Sequence, residues 1–206
     1  MMRTISKWIV AIGALAAVGG YPGAHAAMVG MPRALGPLVK RISFSDYTLP
    51  PMAFTQFCIR YADQCREPKV RFRGGPVHLT AERWDDLKEV NRSVNDEIVP
   101  EANTEGLASE KWLIGPSRGD CNDYAVTKRA ELLERGWPSR ALLLSEVVTS
   151  WGEHHLVLVV RTSAGDLILD NLTPQIRPWS RAPYHWVRMQ TPKNPNFWAT
   201  LDLRNA

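Results

Sequence analysis

Residues 118–136, RGDCNDYAVTKRAELLERG, constrain the fold more than any other stretch, because both ends of one helix are written into them. Gly119 and Asp120 lead into Cys121. Val126, Ala130 and Leu133 then recur at helical spacing on one face, while Lys128, Arg129, Glu131 and Glu134 cover the other. Gly136 supplies a residue that tolerates positive φ after the last turn, and Trp137 and Pro138 follow as the C″ residue and the stop. Cys121 is thereby set at a helix N-terminus, where unpaired amides and the positive end of the macrodipole favour a thiolate over a thiol. A cysteine at a helix start can equally be a small buried hydrophobe, so the residues around it decide.

The first 26 residues read as a secretory signal peptide. Arg3 and Lys7 form the basic region, Trp8 to Gly20 the apolar core, and Ala24-His25-Ala26 the small-residue cleavage site. That apolar run is too short to span a bilayer and no second one follows, so the mature chain, 27–206, is expected to be one exported domain without a transmembrane segment. Removing Arg3 and Lys7 takes the formal net charge from +4 to +2. No basic stripe remains that would read nucleic acid.

Export also governs the three cysteines. An oxidising compartment is expected to pair two of them, and Cys58 and Cys65 in FCIRYADQC are the natural pair, which leaves Cys121 as the free thiol. A continuous helix would hold Cys58 and Cys65 about 10 Å apart, too far for a disulfide. The helix is therefore expected to break around Ala62 to Gln64. Two reduced, buried cysteines are the alternative.

Elsewhere, residues 27–52 read as an irregular lead-in and Pro51 to Asp63 as a short helix offering Phe54, Phe57 and Tyr61 for burial. A polar turn-like stretch follows at 69–75. Thr80 caps a longer helix to about Val99, with Trp84, Leu87, Val90, Val94 and Ile98 as its apolar stripe and Leu79 and Trp84 placed as a hydrophobic staple. This helix is assigned no chemistry. Residues 100–116 form a long connection containing Trp112, a groove wall or core aromatic. Arg140 to Thr149, His155 to Arg161, Leu167 to Asp170 and Tyr184 to Met189 read as strands, with a hairpin turn at Ser163 to Asp166. Helices first and strands after, joined by hairpin-length links, predict an α+β fold with an antiparallel sheet packed against the Cys121 helix.

Two polar groups interrupt the apolar strands. His155 opens one strand and Asp170 closes its hairpin partner, so the two become cross-strand neighbours at one end of the sheet. An imidazole beside a carboxylate, facing a helix N-terminus, provides base, orienting acid and nucleophile for acyl transfer. His154 is the rival histidine, because adjacent strand residues face opposite sides. A metal site built from Cys121, His155 and Asp170 is a further alternative that lacks a fourth clustered ligand.

The run from Trp112 through GDCNDYAVTKRAELLERGWPSRALLL, HHLVLVV and GDLILDNL resembles the bacterial transglutaminase-like cysteine peptidases, which include the LapG-like periplasmic proteases that release surface adhesins. The likeness extends upstream through FCIRYADQC and WDDLKEVNRSVNDEI and downstream through PYHWVRMQTPKNPNFW, nearly the whole of 27–206. It implies a papain/transglutaminase-like core, with Cys121 as nucleophile, His155 rather than His154 as general base, and Asp170 as its orienter. It also implies a secreted or surface protein as substrate, while export by the signal peptide points to the periplasm, with a membrane-protein regulator as a candidate partner. Transfer of the acyl group to an amine, and a non-catalytic binding module on the same fold, are the alternative functions. One departure concerns calcium. The family motif is GDCEDY, and Asn122 stands where its acid would be, so a calcium site using Asp120 and Asp123 should be weakened. Helix capping is the other use for those two carboxylates. The Cys121 N–H is one oxyanion donor, with a second expected from residues 112–119.

Overall fold

The computed structural model describes residues 41–66, 76–104, 106 and 109–202. The expected signal segment, most of the lead-in and the turn at 69–75 lie outside the described residues. In chain order the elements are β1 (Ser43–Thr48), α1 (Met52–Arg60), α2 (Ala62–Cys65), α3 (Ala81–Glu97), β2 (Val99–Pro100), β3 (Arg118–Gly119), α4 (Cys121–Glu134), β4 (Leu142–Val148), β5 (His154–Thr162), β6 (Gly165–Leu169), β7 (Arg177–Pro178), β8 (His185–Gln190) and β9 (Trp198–Asp202). Seven strands form one antiparallel sheet in the order β1-β9-β8-β4-β5-β6-β7, and β2 and β3 make a short parallel pair that leads into α4.

The α+β expectation holds, and both sheet faces are covered. Leu142, Leu144, Leu156, Leu158 and Val160 join Phe54, Phe57, Leu87, Val90, Val94 and Trp112 in the core shared with the helices. Leu143, Val147, Val157 and Val159 pack on the other face with Ile42, Ile168, Trp179 and Met189. That is why β5 reads as a continuous apolar run rather than an alternating one.

Helix α4 departs from the amphipathic pattern. Lys128 and Arg129, expected on a solvent face, are each 1 % exposed. The reason is position: α4 packs on α3 as well as on β4 and β5, so little of it reaches water. Arg129 is accommodated by bonds from Nε to the Leu142 carbonyl at 3.1 Å and from Nη1 to the Gln64 carbonyl at 2.9 Å. The end of α4 follows the expectation. Gly136 has φ of 81°, its N–H donates to the Leu133 carbonyl, and Trp137 N–H donates to the Leu132 carbonyl.

Cys58 and Cys65 form a disulfide, with Cα atoms 5.5 Å apart. The helix breaks at Tyr61, one residue before the expected stretch. The lead-in is not wholly irregular, since residues 43–48 form the edge strand β1, paired to β9. One side of that strand faces solvent and shows little apolar alternation, which hid it. Trp112 is a core aromatic at 2 % exposure, packed 5.9 Å from Phe54 and 6.1 Å from Phe57 between ring centroids. No helix among the described residues is long and apolar enough to cross a membrane.

Candidate active site

The N-terminus of α4 is built as a capping box. Asp120 Oδ1 accepts from Asn122 N–H at 2.9 Å, and Asp123 Oδ2 accepts from Asp120 N–H at 3.0 Å. Asp123 Oδ1 takes the Leu113 N–H at 2.7 Å, which ties the preceding connection to the helix start. Gly119 is required by this closeness, because a Cβ there would lie 2.3 Å from Asp123 Oδ2. Asn122 donates from Nδ2 to Glu110 Oε1 at 2.7 Å, and Trp112 Nε1 donates to the same oxygen at 2.7 Å.

Cys121, the free cysteine, is half-buried at the first helical position. Burial pushes its thiol up to about 12, the Leu156 backbone N–H opposes the shift, and the carboxylates of Asp120, Glu110 and Asp170 reinforce it. Desolvation and the nearby carboxylates thus act against the thiolate that the helix start favours, so an ion-paired thiolate needs a cation brought to it. The Leu156 contact places the thiol against the residue that follows His155 on β5.

His155 and Asp170 are brought together. The β5–β6 ladder sets Leu158 opposite Leu169, so Asp170, just past β6, is a diagonal cross-strand neighbour of His155. His155 Nε2 lies 2.9 Å from Asp170 Oδ1, with both side chains almost fully buried. This bond makes Nε2 the protonated nitrogen and leaves Nδ1 for other chemistry. Burial opposes ionisation of Asp170, but the bonds from His155, Tyr184 and Leu172 N–H outweigh it and hold the carboxyl below its usual range. His154 turns the other way, with its side chain 68 % exposed and Nδ1 2.8 Å from Glu146 Oε1.

Three participants were missed. Tyr184, just ahead of β8, donates its hydroxyl to Asp170 Oδ2, and its ring lies 5.7 Å from that of His155. Only a half-buried tyrosine hydroxyl's need for a partner could have hinted at it. Asn91 and Asn95 on α3 hold the segment after β6, through the Pro174 carbonyl at 3.1 Å and the Asp170 carbonyl at 2.9 Å. Helix α3 is therefore part of what positions the site. The expected second oxyanion donor is not among the amides of 113–115, which bond Asp123, Tyr61 and Thr127.

Asp120 and Asp123 fit calcium poorly. Both Asp123 oxygens and one of Asp120 are committed to backbone amides, and residue 122 is a neutral amide. Among the described residues, no group of three or more His, Cys, Asp or Glu side chains could hold a metal ion.

No curated protein sequence matches the chain. Among solved structures, Legionella pneumophila LapG is similar at 26% identity and a TM-score of 0.48, covering 56% of this chain and 68% of LapG. Its calcium-bound form is similar at 22% identity and a TM-score of 0.49, covering 71% and 77%. The sequence model of the bacterial transglutaminase-like cysteine proteinases (BTLCP) matches residues 44–206, from the edge strand β1 past the far strand β9. A half-buried free thiol at a helix start, against the amide of the residue that follows the buried His155 of a histidine–aspartate pair, thus lies within a matched family, and the chain belongs to the bacterial transglutaminase-like cysteine proteinases and is a cysteine peptidase.

Proposed function

We propose that the protein is an exported cysteine endopeptidase working through a Cys121–His155–Asp170 triad on a secreted or surface protein. The observation that carries the reading is the buried His155–Asp170 bond of 2.9 Å, next to a free thiol lodged against the Leu156 amide. In the reaction, Cys121 Sγ gives its proton to His155 Nδ1 and attacks the peptide carbonyl carbon, forming a C–S bond. The Cys121 N–H receives the developing oxyanion, because the capping box occupies the amides of Asn122 and Asp123. His155 then protonates the leaving amine as the C–N bond breaks, and a thioester remains. Water attacks the thioester, its proton goes to His155, and the C–S bond breaks to return the thiol. Asp170 keeps the imidazole in one tautomer and offsets its charge throughout.

Calcium is assigned no step in this reading. Residues 1–26 act as the export signal, residues 27–206 as one periplasmic domain, and a membrane protein as its regulator.

The test is the pH dependence of Cys121 alkylation by iodoacetamide. The wild-type protein should label at pH 6–7, and His155→Ala should label at least about 100-fold more slowly there, since its thiol then ionises only in strongly alkaline solution. Equal rates in the two proteins would remove the thiolate–imidazolium pair, and with it the proposed mechanism.

A further inference from the structure

Helix α3 reaches the Asp170 segment twice, from Asn95 to the Asp170 carbonyl and, one turn away, from Asn91 to the Pro174 carbonyl. With both Nδ2 groups committed, the Oδ1 atoms of Asn91 and Asn95 are buried and lack hydrogen-bond partners. Lys128 on α4 is in the same condition. It is 1 % exposed, its Nζ lies 5.9 Å from the centroid of the Tyr124 ring, and no acceptor bonds it.

These three groups are at one level of the fold. Helices α3 and α4 run antiparallel, because Tyr124 donates its hydroxyl to the Ile98 carbonyl at one end while Arg135 meets Asp86 and Glu89 at the other. Lys128, one turn beyond Tyr124, is therefore level with Asn91 to Asn95. A buried polar group left unpaired costs about 1–3 kcal/mol. Here a three-proton donor and two acceptors share one layer with no direct bond among them, and such complementary groups are closed by a shared buried water. Burial pushes the Lys128 amine down to about 7, and the charge on Asp170 works against that shift, so the two groups feel each other through the protein.

We propose that Lys128, linked to Asn91 and Asn95 behind residues 170–174, is a positioning residue that holds the Asp170 carboxylate against His155. The inference rests on the triad reading above. Lys128 touches no reacting atom. It stands two turns after Cys121 on α4, so the helix that presents the nucleophile also references the carboxylate that orients the base. A shift of the sheet against α4 would then disturb both ends of the triad together.

The experiment uses Lys128→Met and Asn95→Ala in the full chain. Methionine keeps the length and apolar stem of lysine, and Asn95 is only partly buried, so the second variant serves if the first does not fold. Two quantities are read: the pH profile of Cys121 alkylation by iodoacetamide, and hydrogen exchange of the Leu172 amide, which donates to Asp170 Oδ1 at 3.1 Å. Both variants should lose about tenfold in alkylation rate at neutral pH and exchange the Leu172 amide about tenfold faster. Wild-type values of both quantities in the folded variants would overturn the proposal. Failure of the triad reading looks different: His155→Ala would then label like wild type. In that event Leu172 exchange alone decides whether Lys128 holds Asp170, with wild-type protection counting against it.

Discussion

At the scale of single residues, Asp170 is the hub of the site. One oxygen takes His155 Nε2 and the Leu172 N–H, and the other takes the Tyr184 hydroxyl. Each bond favours the charged form, and together they depress the carboxyl against the opposing effect of burial. A depressed carboxyl contributes stability that is present above its unfolded value, about 3.9, and lost as pH falls through the lower folded one. Tyr184→Phe removes one of these donors and leaves Oδ2 buried without it. The variant should stay folded, lose about tenfold in kcat/KM (about 1.4 kcal/mol), and show the acid limb of its pH–rate profile moved to higher pH. An acid limb that stays in place would mean that Tyr184 packs beside His155 without tuning Asp170.

At the scale of elements, the start of α4 is complete in itself. Asp120 and Asp123 cap the helix and hold the 113 amide, and Asn122 presents a donor to Glu110 where a carboxylate would repel it. The carboxylates of Asp120, Asp123 and Glu110 thus each accept from protein donors. Millimolar calcium and excess chelator should accordingly give the same melting temperature within about 1 °C, where a bound ion at 100 times its dissociation constant would add about 2.7 kcal/mol. A rise with calcium that is reversed by chelator would show that the unused oxygens of Asp120 and Glu110 are enough for a site.

At the scale of the molecule, both faces of the sheet are covered, and its far edge is tied to the helical core. Trp198 on β9 is fully buried and meets Phe54 of α1 at 5.3 Å between ring centroids. The last strand in chain order thereby belongs to the same packed unit as α4. Trp198→Ala should cost about 3–5 kcal/mol. Thermal unfolding of the variant, followed both by far-UV signal and by Cys121 accessibility, should give one coincident transition at lower temperature. Two separated transitions would show that the edge strands unfold independently of the site.

Much was legible locally. The ends of α4, the Thr80 cap of α3, the hairpin at residues 163–166 and the pairing of His155 with Asp170 all follow from short-range rules of capping, turn chemistry and register. So does the Cys58–Cys65 pairing, because those two cysteines lie close in sequence and Cys121 stands apart. What no local rule could supply was the surroundings. Lys128 and Arg129 look like solvent residues until a helix and a sheet close over them, Tyr184 has no visible partner until β8 lies beside β4, and Asn91 and Asn95 gain a purpose only when α3 packs under residues 170–174. The thiol is the clearest case. Position at a helix start argues for a thiolate, while burial and the carboxylates of Asp120, Glu110 and Asp170 act against it. Dihedral preferences and capping act over a few residues and are written in order along the chain. Desolvation and charge–charge interaction depend on what long-range packing brings close, and so only the tertiary structure decided them.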